Sequence, residues 1–412
     1  MHDPVTLAER QMRLDEERTK RFPELLVRKY QRMSASPLAY LRGAAPVFYE
    51  LLAERADLRE GPAGEGWIVG DMHLENFGAY RPDALGAAEG PMSGPATKKK
   101  ELAVFDLNDF DETVIGPWRF DLLRLTTSLL LGGRELGANG LVALDLVDRL
   151  CGAWVRAVSG DEKMPAVPAP IAALIDQVQN RSKTALLDAR TKVTGHSRRF
   201  VRGPRYADLP KKITDEVPAA FRHYVDTLVE EDRPHKGSLE VLDCALRIAG
   251  TGSLGGLRIA VLVKGKGGPD GAWIFDLKEQ SAPSLLSLVP AMKLDDAERV
   301  KEGFRACVER PPHMIGTTKL GGMSILARKL SPQEDKLNWR KLARPDLAGL
   351  AAYLGALLGK AHRRAATNPP ATPWTKEDIA HVRHQAIAMA GIHEAIYLAL
   401  CEGIRDFVPK AT

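Results

Sequence analysis

Cysteine is scarce in this chain and scattered where it occurs. Cys151, Cys244, Cys307 and Cys401 show no CxxC spacing, which excludes a zinc-ribbon or thioredoxin-type motif and reads as buried thiols in a reducing cytoplasm. Aromatic residues make up only 6% of the 412 positions and form no RNA-recognition signature, and zinc-finger and basic-zipper patterns are missing too. Neither sign of charge dominates: 58 basic residues stand against 53 acidic ones, a net charge of +5, the balance of a mixed, solvated surface. No nucleic-acid partner is expected. The apolar run around Leu122–Leu131 is broken by Arg124, Thr126, Thr127 and Ser128 and stops at Gly132-Gly133. That suits a buried helix and is too short for a bilayer. The first residues, MHDPVTLAERQMRLDEERTKRF, lack the apolar core of a signal peptide, so the expectation is a cytoplasmic protein without a membrane partner.

What the chain does have is concentrated between residues 67 and 124. The apolar runs Trp67-Ile68-Val69 and Leu102-Ala103-Val104-Phe105 each lead into a knot of acids and amides, the pattern of short buried strands delivering polar side chains to a shared edge. The first knot holds Asp71, His73, Glu75 and Asn76; the second holds Asp106, Asn108, Asp109, Asp111 and Glu112. Acids so crowded repel one another unless a cation or cationic ligand lies between them. Their oxygen ligands suit Mg²⁺ or Mn²⁺ better than zinc.

A chain of this length forms two or three lobes. The patterning divides it into an N-terminal helical segment, 1–66, a helical lobe with the acidic loops, 67–236, an antiparallel-sheet lobe, 237–335, and C-terminal helices, 336–412, that pack back on the helical lobe. Helix is expected over 5–33 with a break near Pro23, over the following LAYLRGAAPVFYELLAERA, from Gly116-Pro117 onward, over about 138–158 and 169–190, and in both C-terminal segments. Arg42 and Tyr49 are the residues of the second segment that could reach a ligand, with surface solvation the favoured role, and His362 and His393 read as packing or surface residues. The Gly/Pro/Ala-rich stretch ending in Lys98-Lys99-Lys100 reads as an excursion with a solvated tip. The basic stretch TKVTGHSRRFVRGPRYADLPKK carries Phe200 and Tyr206 but no recognisable nucleic-acid motif.

From about residue 237 the periodicity becomes that of strands. LEVLDCALRIAG and LRIAVLVKG flank Gly250-Thr251-Gly252-Ser253-Leu254-Gly255-Gly256, and AWIFDLKEQ follows a second turn. A dinucleotide-binding reading of the glycines requires a helix after them; LRIAVLV is strand, so that reading fails. A glycine turn between antiparallel strands, followed by a third strand bearing Lys278, is the arrangement with which protein kinases cover and grip nucleotide phosphates. A hairpin with incidental glycines is the alternative. Glu298 and Glu302, on the helix after Lys278, are candidates to pair with it, and MSILARKL offers a strand edge for an adenine.

The central stretch resembles the catalytic core of the aminoglycoside and choline phosphotransferase branch of the protein-kinase-like superfamily. Gly70-Asp71-Met72-His73-Leu74-Glu75-Asn76 is similar to its catalytic loop, Asp109-Phe110-Asp111-Glu112 to its metal motif, and Gly116-Pro117 with Phe120-Asp121-Leu122 to the segment that follows. The whole chain also resembles a bacterial family of uncharacterised proteins, domain of unknown function 2252, through RGAAPVFYELLA, GDMHLENFG, FDLNDFDET, GTGSLGGLRIAVLVKG, LKEQ and GKAHRRAA. The first resemblance implies an α+β, protein-kinase-like, two-lobed fold. Because the glycine turn and lysine follow the catalytic loop here, that fold would be circularly permuted, with the helix at 346–366 preceding the loop in the rotated order. It implies an ATP-dependent phosphotransferase using Mg²⁺, with Asp71 as base or hydroxyl orienter beside His73. Asn76 and Asp109 would bind metal, with Asp106 as the rival and Asp111 beside them. Gly250, Gly252, Ser253, Gly255, Lys278 and Glu302 would serve the nucleotide, and Asp121 would tie the loop. The acceptor would be a hydroxyl of a small molecule. Nucleotidyl transfer, a nucleotide-binding scaffold without turnover, and a metal-dependent hydrolase remain open at this point.

Overall fold

The computed structural model describes residues 3–82, 102–160, 163–182, 184–229, 232–233, 239–265, 268–330 and 334–408; Lys98–Lys100 lie outside them. The fold is mixed α+β, with several small antiparallel sheets among helices. Five helices open the chain: α1 (Pro4–Thr19), α2 (Leu25–Met33), α3 (Pro37–Leu41), α4 (Ala45–Glu54) and α5 (Ala56–Arg59). The first begins sharply because the Asp3 carboxylate accepts the N–H groups of Val5 (2.8 Å) and Thr6 (3.0 Å) ahead of Pro4, satisfying donors that an uncapped end would leave open.

Strands β1 (Glu65–Ile68), β2 (Phe77–Tyr80), β3 (Val104–Leu107) and β4 (Val114–Pro117) then frame the acidic loops. β1 pairs with β4, and β2 with β3, so the two knots lie side by side although a long excursion separates them in sequence. Helix α6 (Trp118–Glu135) is buried at every position from Phe120 to Gly133, as its apolar circumference predicts. Helices α7 (Gly140–Ser159), α8 (Ala169–Asn180) and α9 (Ala185–Arg190) follow, then hairpin β5 (Thr191–Thr194) and β6 (Ser197–Phe200), the short β7 (Tyr206–Ala207) and α10 (Lys211–Thr227). The basic stretch spends its charge internally: Arg198 pairs with Asp188 (2.9 Å) and Asp270 (2.5 Å), and Arg202 with Asp208 (2.8 Å) and Asp243 (3.1 Å).

The largest sheet contains β8 (Val241–Arg247), β9 (Arg258–Val263), β10 (Trp273–Glu279), β11 (Gly316–Leu320) and β12 (Met323–Leu330), with α11 (Asp296–Cys307) between β10 and β11. Its order is β11-β12-β10-β9-β8-β7. Strand alternation gives the faces different jobs. Ile259, Val261, Phe275 and Leu277 bury one face against Val217, Phe221 and Tyr224 of α10. The other face carries Ala260, Leu262 and Ile274 against Leu187, Phe200 and Tyr206, then turns charged where Asp276 and Lys278 continue the Ile274 row. Residues between 187 and 228 thus pack into the core of this sheet.

After this sheet β13 (Glu334–Lys336) returns to pair with β2, and α12 (Leu347–Arg364), β14 (Ala366–Asn368) and α13 (Lys376–Gly403) complete the chain. One core runs from Leu7 to Ile404, uniting the first and last helices with the acidic loops. Among the described residues α13 alone is long and apolar enough by composition to cross a bilayer; it buries Val382, Ala386, Met389, His393 and Ile396 inside the fold. All four cysteines are free, and Cys151, Cys244 and Cys307 are buried.

Candidate functional site

The loop after β1 is held by a carboxylate buried beneath it. Asp121, near the start of α6, accepts the N–H groups of Val69 (2.7 Å) and Gly70 (2.8 Å). His362 of α12 meets the same carboxylate at 3.1 Å, while its other ring nitrogen lies 3.1 Å from the indole N–H of Trp154. An indole N–H only donates, so His362 Nδ1 accepts and Nε2 donates to Asp121. His362 is therefore a fully buried brace, more than a packing residue. Gly70 has φ +82° and sits so close to the Glu112 carbonyl that an added Cβ would lie 2.1 Å from it, which fixes glycine there. Tyr49, expected in solvent, is buried and donates its hydroxyl to the Gly70 carbonyl.

Asp71 follows at the floor of a cleft of about 190 Å³. Its carboxylate, 22% exposed, is gripped by the wholly buried guanidinium of Arg124, with Nε at 2.6 Å. Arg124 also donates to the Leu41 carbonyl at 2.8 Å and lies over the Phe48 ring. Burial pushes the Asp71 carboxyl up to about 7, against the pull of Arg124 and with Glu112 adding to the rise. His73 takes the Glu75 N–H on Nδ1 (3.1 Å). Burial, helped by Arg42 and Arg124, keeps this imidazole well below its usual range and so neutral, with Nε2–H 3.9 Å from Asp71. The Asn76 amide N–H₂ donates to the Asp71 carbonyl at 2.5 Å, which leaves its amide oxygen as an acceptor. Arg42, expected on the surface, pairs with Glu75 at 2.8 Å and lines the cleft.

The second knot meets the first through the β2–β3 ladder and the Asn108 N–H, which donates to the Asn76 carbonyl (2.9 Å). Asp106 is still inside that ladder, opposite Gly78, accepts the Leu107 N–H (2.8 Å) and does not line the cleft. Burial pushes it up to about 6. Asp109 and Asp111 lie beyond the ladder's end and do line the cleft. The cation between these acids is Lys278 of β10, which pairs with Asp111 and lies 3.7 Å from Asp109. Burial alone would raise Asp109, but Lys278, Lys336 and Arg258 outweigh it and hold that carboxyl well below the ordinary carboxylate range. Beneath Lys278, Asp276 binds Arg258 (2.9 Å) and Arg247 (2.6 Å).

Glu302 does not reach Lys278. It pairs with Lys301 (3.6 Å) and Arg305 (3.4 Å), and Glu298 takes Thr317 and Lys301. Helical spacing puts both acids on one stripe of α11, while the neighbouring stripe is buried against the acidic loop. From that stripe Arg299 donates to the carbonyls of Asp111 (3.0 Å), Thr113 (2.5 Å) and Ser281 (2.9 Å). Of the glycine turn, Gly250, Gly252 and Ser253 line the cleft. Gly255 instead packs on α1, where an added Cβ would lie 2.8 Å from the Arg18 carbonyl. The turn is tied to α2 by Arg32, which donates to the Gly250 carbonyl, and by Lys29, which donates to that of Gly252 at 3.3 Å.

Sequence reasoning missed the contribution of α1 and α2 to this cleft, and Lys336, which enters it from β13. Arg124 stands out in the sequence as a charge inside an apolar run, but nothing there identifies Asp71 as its partner. A charge inside an otherwise apolar helix was the available signal. Among the described residues no three His, Cys, Asp or Glu side chains are grouped to hold a metal by themselves.

No match was found among curated proteins or solved structures. Residues 21–396 match the family described as uncharacterized protein conserved in bacteria, DUF2252, and with nearly the whole chain inside that match, the protein belongs to this bacterial family.

Proposed function

We propose that this protein is an ATP- and Mg²⁺-dependent phosphotransferase with a circularly permuted, protein-kinase-like fold, acting on a hydroxyl of a small acceptor. The observation that carries the reading is that Lys278 pairs with Asp111 and lies 3.7 Å from Asp109, two acids that line one cleft with Asp71, Asn76 and the glycine turn, although the two halves come from opposite parts of the chain. Followed from β8 to the C-terminus and then from the N-terminus, the order is glycine turn, lysine strand, helix, strand pair, long helix, then α13 and α1–α5, the Asp71 loop and the second acidic loop. Apart from the helices inserted before the Asp71 loop, that is the order of parts in protein kinases.

In this reading the acceptor oxygen forms a bond to the γ-phosphorus, the bond from that phosphorus to the departing ADP oxygen breaks, and the hydroxyl proton passes to Asp71. Arg124 fixes the Asp71 carboxylate, and catalysis rests on position and charge neutralisation. Lys278 exchanges Asp111 for phosphate oxygens, and the backbone of Gly250 and Gly252 approaches the same group. The Asn76 amide oxygen and Asp109 fit Mg²⁺, which prefers one or two protein oxygens with phosphates and water completing its shell; when bound it would neutralise charge on the phosphates. A dedicated metal hydrolase is less well supported, since His73 Nδ1 is already occupied by the Glu75 N–H. The cleft, about 190 Å³, is smaller than the roughly 300–1,000 Å³ of typical ligand pockets, so nucleotide entry requires it to widen.

Calorimetry of ATP binding with and without Mg²⁺ tests this on wild type, Lys278→Ala and Asp109→Ala. Metal-dependent binding weakened at least tenfold by both changes is expected; binding indifferent to Lys278 would separate the two halves and end the proposal. Asp71→Ala should retain nucleotide and lose turnover. Phosphorus NMR of the products separates phosphoryl from nucleotidyl transfer.

A further inference from the structure

We infer that α1 and α2 form the acceptor-recognition site, and that it takes a small polyhydroxylated molecule through Gln11 and Asp15. Calling this molecule the acceptor rests on the phosphotransferase reading; the existence of the site does not. Gln11, Asp15 and Lys29 are each about 1% exposed, and all three line the cleft that contains Asp71. One oxygen of Asp15 takes both Lys29 (2.7 Å) and the Gln11 amide N–H₂ (2.9 Å). Its other oxygen and the Gln11 amide oxygen have no partner among the described residues, and neither does Nε of Arg42 nearby.

Buried polar atoms in native proteins are nearly always paired, and an unmet one is costly. Two unmet acceptors beside one unmet donor, on three cleft-lining residues, ask for a ligand richer in hydrogen-bond donors than acceptors. Sugar-like hydroxyls supply that pattern. A second phosphate or a carboxylate would face the Asp15 charge. Lys29 and Arg32 of α2 also hold the glycine turn, so this site and the turn line the same cleft as Asp71.

The test uses the full-length protein and three probes, glucose, glucosamine and myo-inositol, in saturation-transfer NMR and calorimetry. At least one should bind saturably, weaken at least tenfold in Gln11→Leu, and lose binding in the double variant Asp15→Leu, Lys29→Met. Replacing both members of a buried ion pair by apolar residues is often neutral or stabilising, so the double variant should keep its circular dichroism spectrum. Failure of all three probes to bind, or undiminished binding in that folded double variant, would overturn the proposal and leave an ion pair with trapped water. A wild type that binds a probe but not MgATP would remove the phosphotransferase reading and keep the site.

Discussion

The two walls of the cleft are braced in opposite ways. The Asp71 wall is held from beneath by buried groups: Asp121 on two backbone N–H groups, His362 on Asp121, Arg124 on Asp71, and the Ser128 hydroxyl accepting the Leu74 N–H at 3.2 Å. The glycine-turn wall is held by two long side chains of α2, the buried Lys29 on the Gly252 carbonyl and Arg32, which reaches the Gly250 carbonyl across an exposed surface. One wall can hold a reacting group still, as positioning demands; the other can separate from its partners at small cost, as a cover over a ligand must.

Removing the brace of the rigid wall should have the largest effect. Asp121→Ala leaves two N–H groups and His362 unpaired in the core and is expected to cost about 3–5 kcal/mol, read by urea denaturation; a loss under about 1 kcal/mol would mean that the loop is held elsewhere. Next comes a matched pair of glycine substitutions. Gly70→Ala meets a backbone carbonyl at positive φ and should cost about 2–3 kcal/mol. Gly250→Ala, also at positive φ, meets only the Ser253 hydroxyl, a side chain free to turn, and should cost about 1–2 kcal/mol. Equal losses would erase the contrast between the walls.

A third prediction concerns acid. His393 lies behind the rigid wall, wholly buried, with Nδ1–H on the Met389 carbonyl (3.0 Å) and Nε2 unpartnered among the described residues. Burial, with Arg124 nearby, pushes it down to about 3. Because the folded value lies below the unfolded one of about 6.5, the unfolded chain binds the extra proton as pH falls. The stability present above pH 6.5 should therefore drop by about 1.4 kcal/mol at pH 5.5 through this residue. His393→Leu should show a correspondingly shallower fall between pH 7.5 and 5.5 in thermal melts, and parallel curves would refute the assignment. The smallest effect is expected from Arg32→Ala, below about 1 kcal/mol in global stability but with faster hydrogen exchange confined to residues 250–256. Unchanged exchange there would show that Lys29 and the packing of Gly255 on α1 hold the turn without Arg32.

Much of this site was legible because its parts are local. Asp71, His73 and Asn76 share one loop, Asp109 and Asp111 another, and Lys278 stands on a strand whose alternation can be read directly. The expected pairing of Lys278 with Glu302 was not met, because helix spacing identifies a stripe without saying which neighbour it faces. Asp106 and Asp109 were rivals until the ladder showed that Asp106 is still inside it. Arg42 and Tyr49 looked like surface residues because their helix has no charge pattern announcing that it packs against the Asp71 loop.

The sequence by itself determined most of the elements: the break near Pro23, the glycine turn at 250–256 between strands, and the burial of α6; it did not show that α3, α4 and α5, or α8 and α9, are separate helices. Periodicity, capping and glycine content act over a few residues, and those interactions are written in neighbouring positions. Only the tertiary structure decided that Lys278 is the cation between the acids, that Arg124 holds Asp71, and that α1 and α2 close the cleft with Gln11 and Asp15. Each of those contacts joins segments far apart in the chain: one core running from Leu7 to Ile404 gathers α1, α6 and the acidic loops, while the strand that carries Lys278 is buried in the separate core of the large sheet.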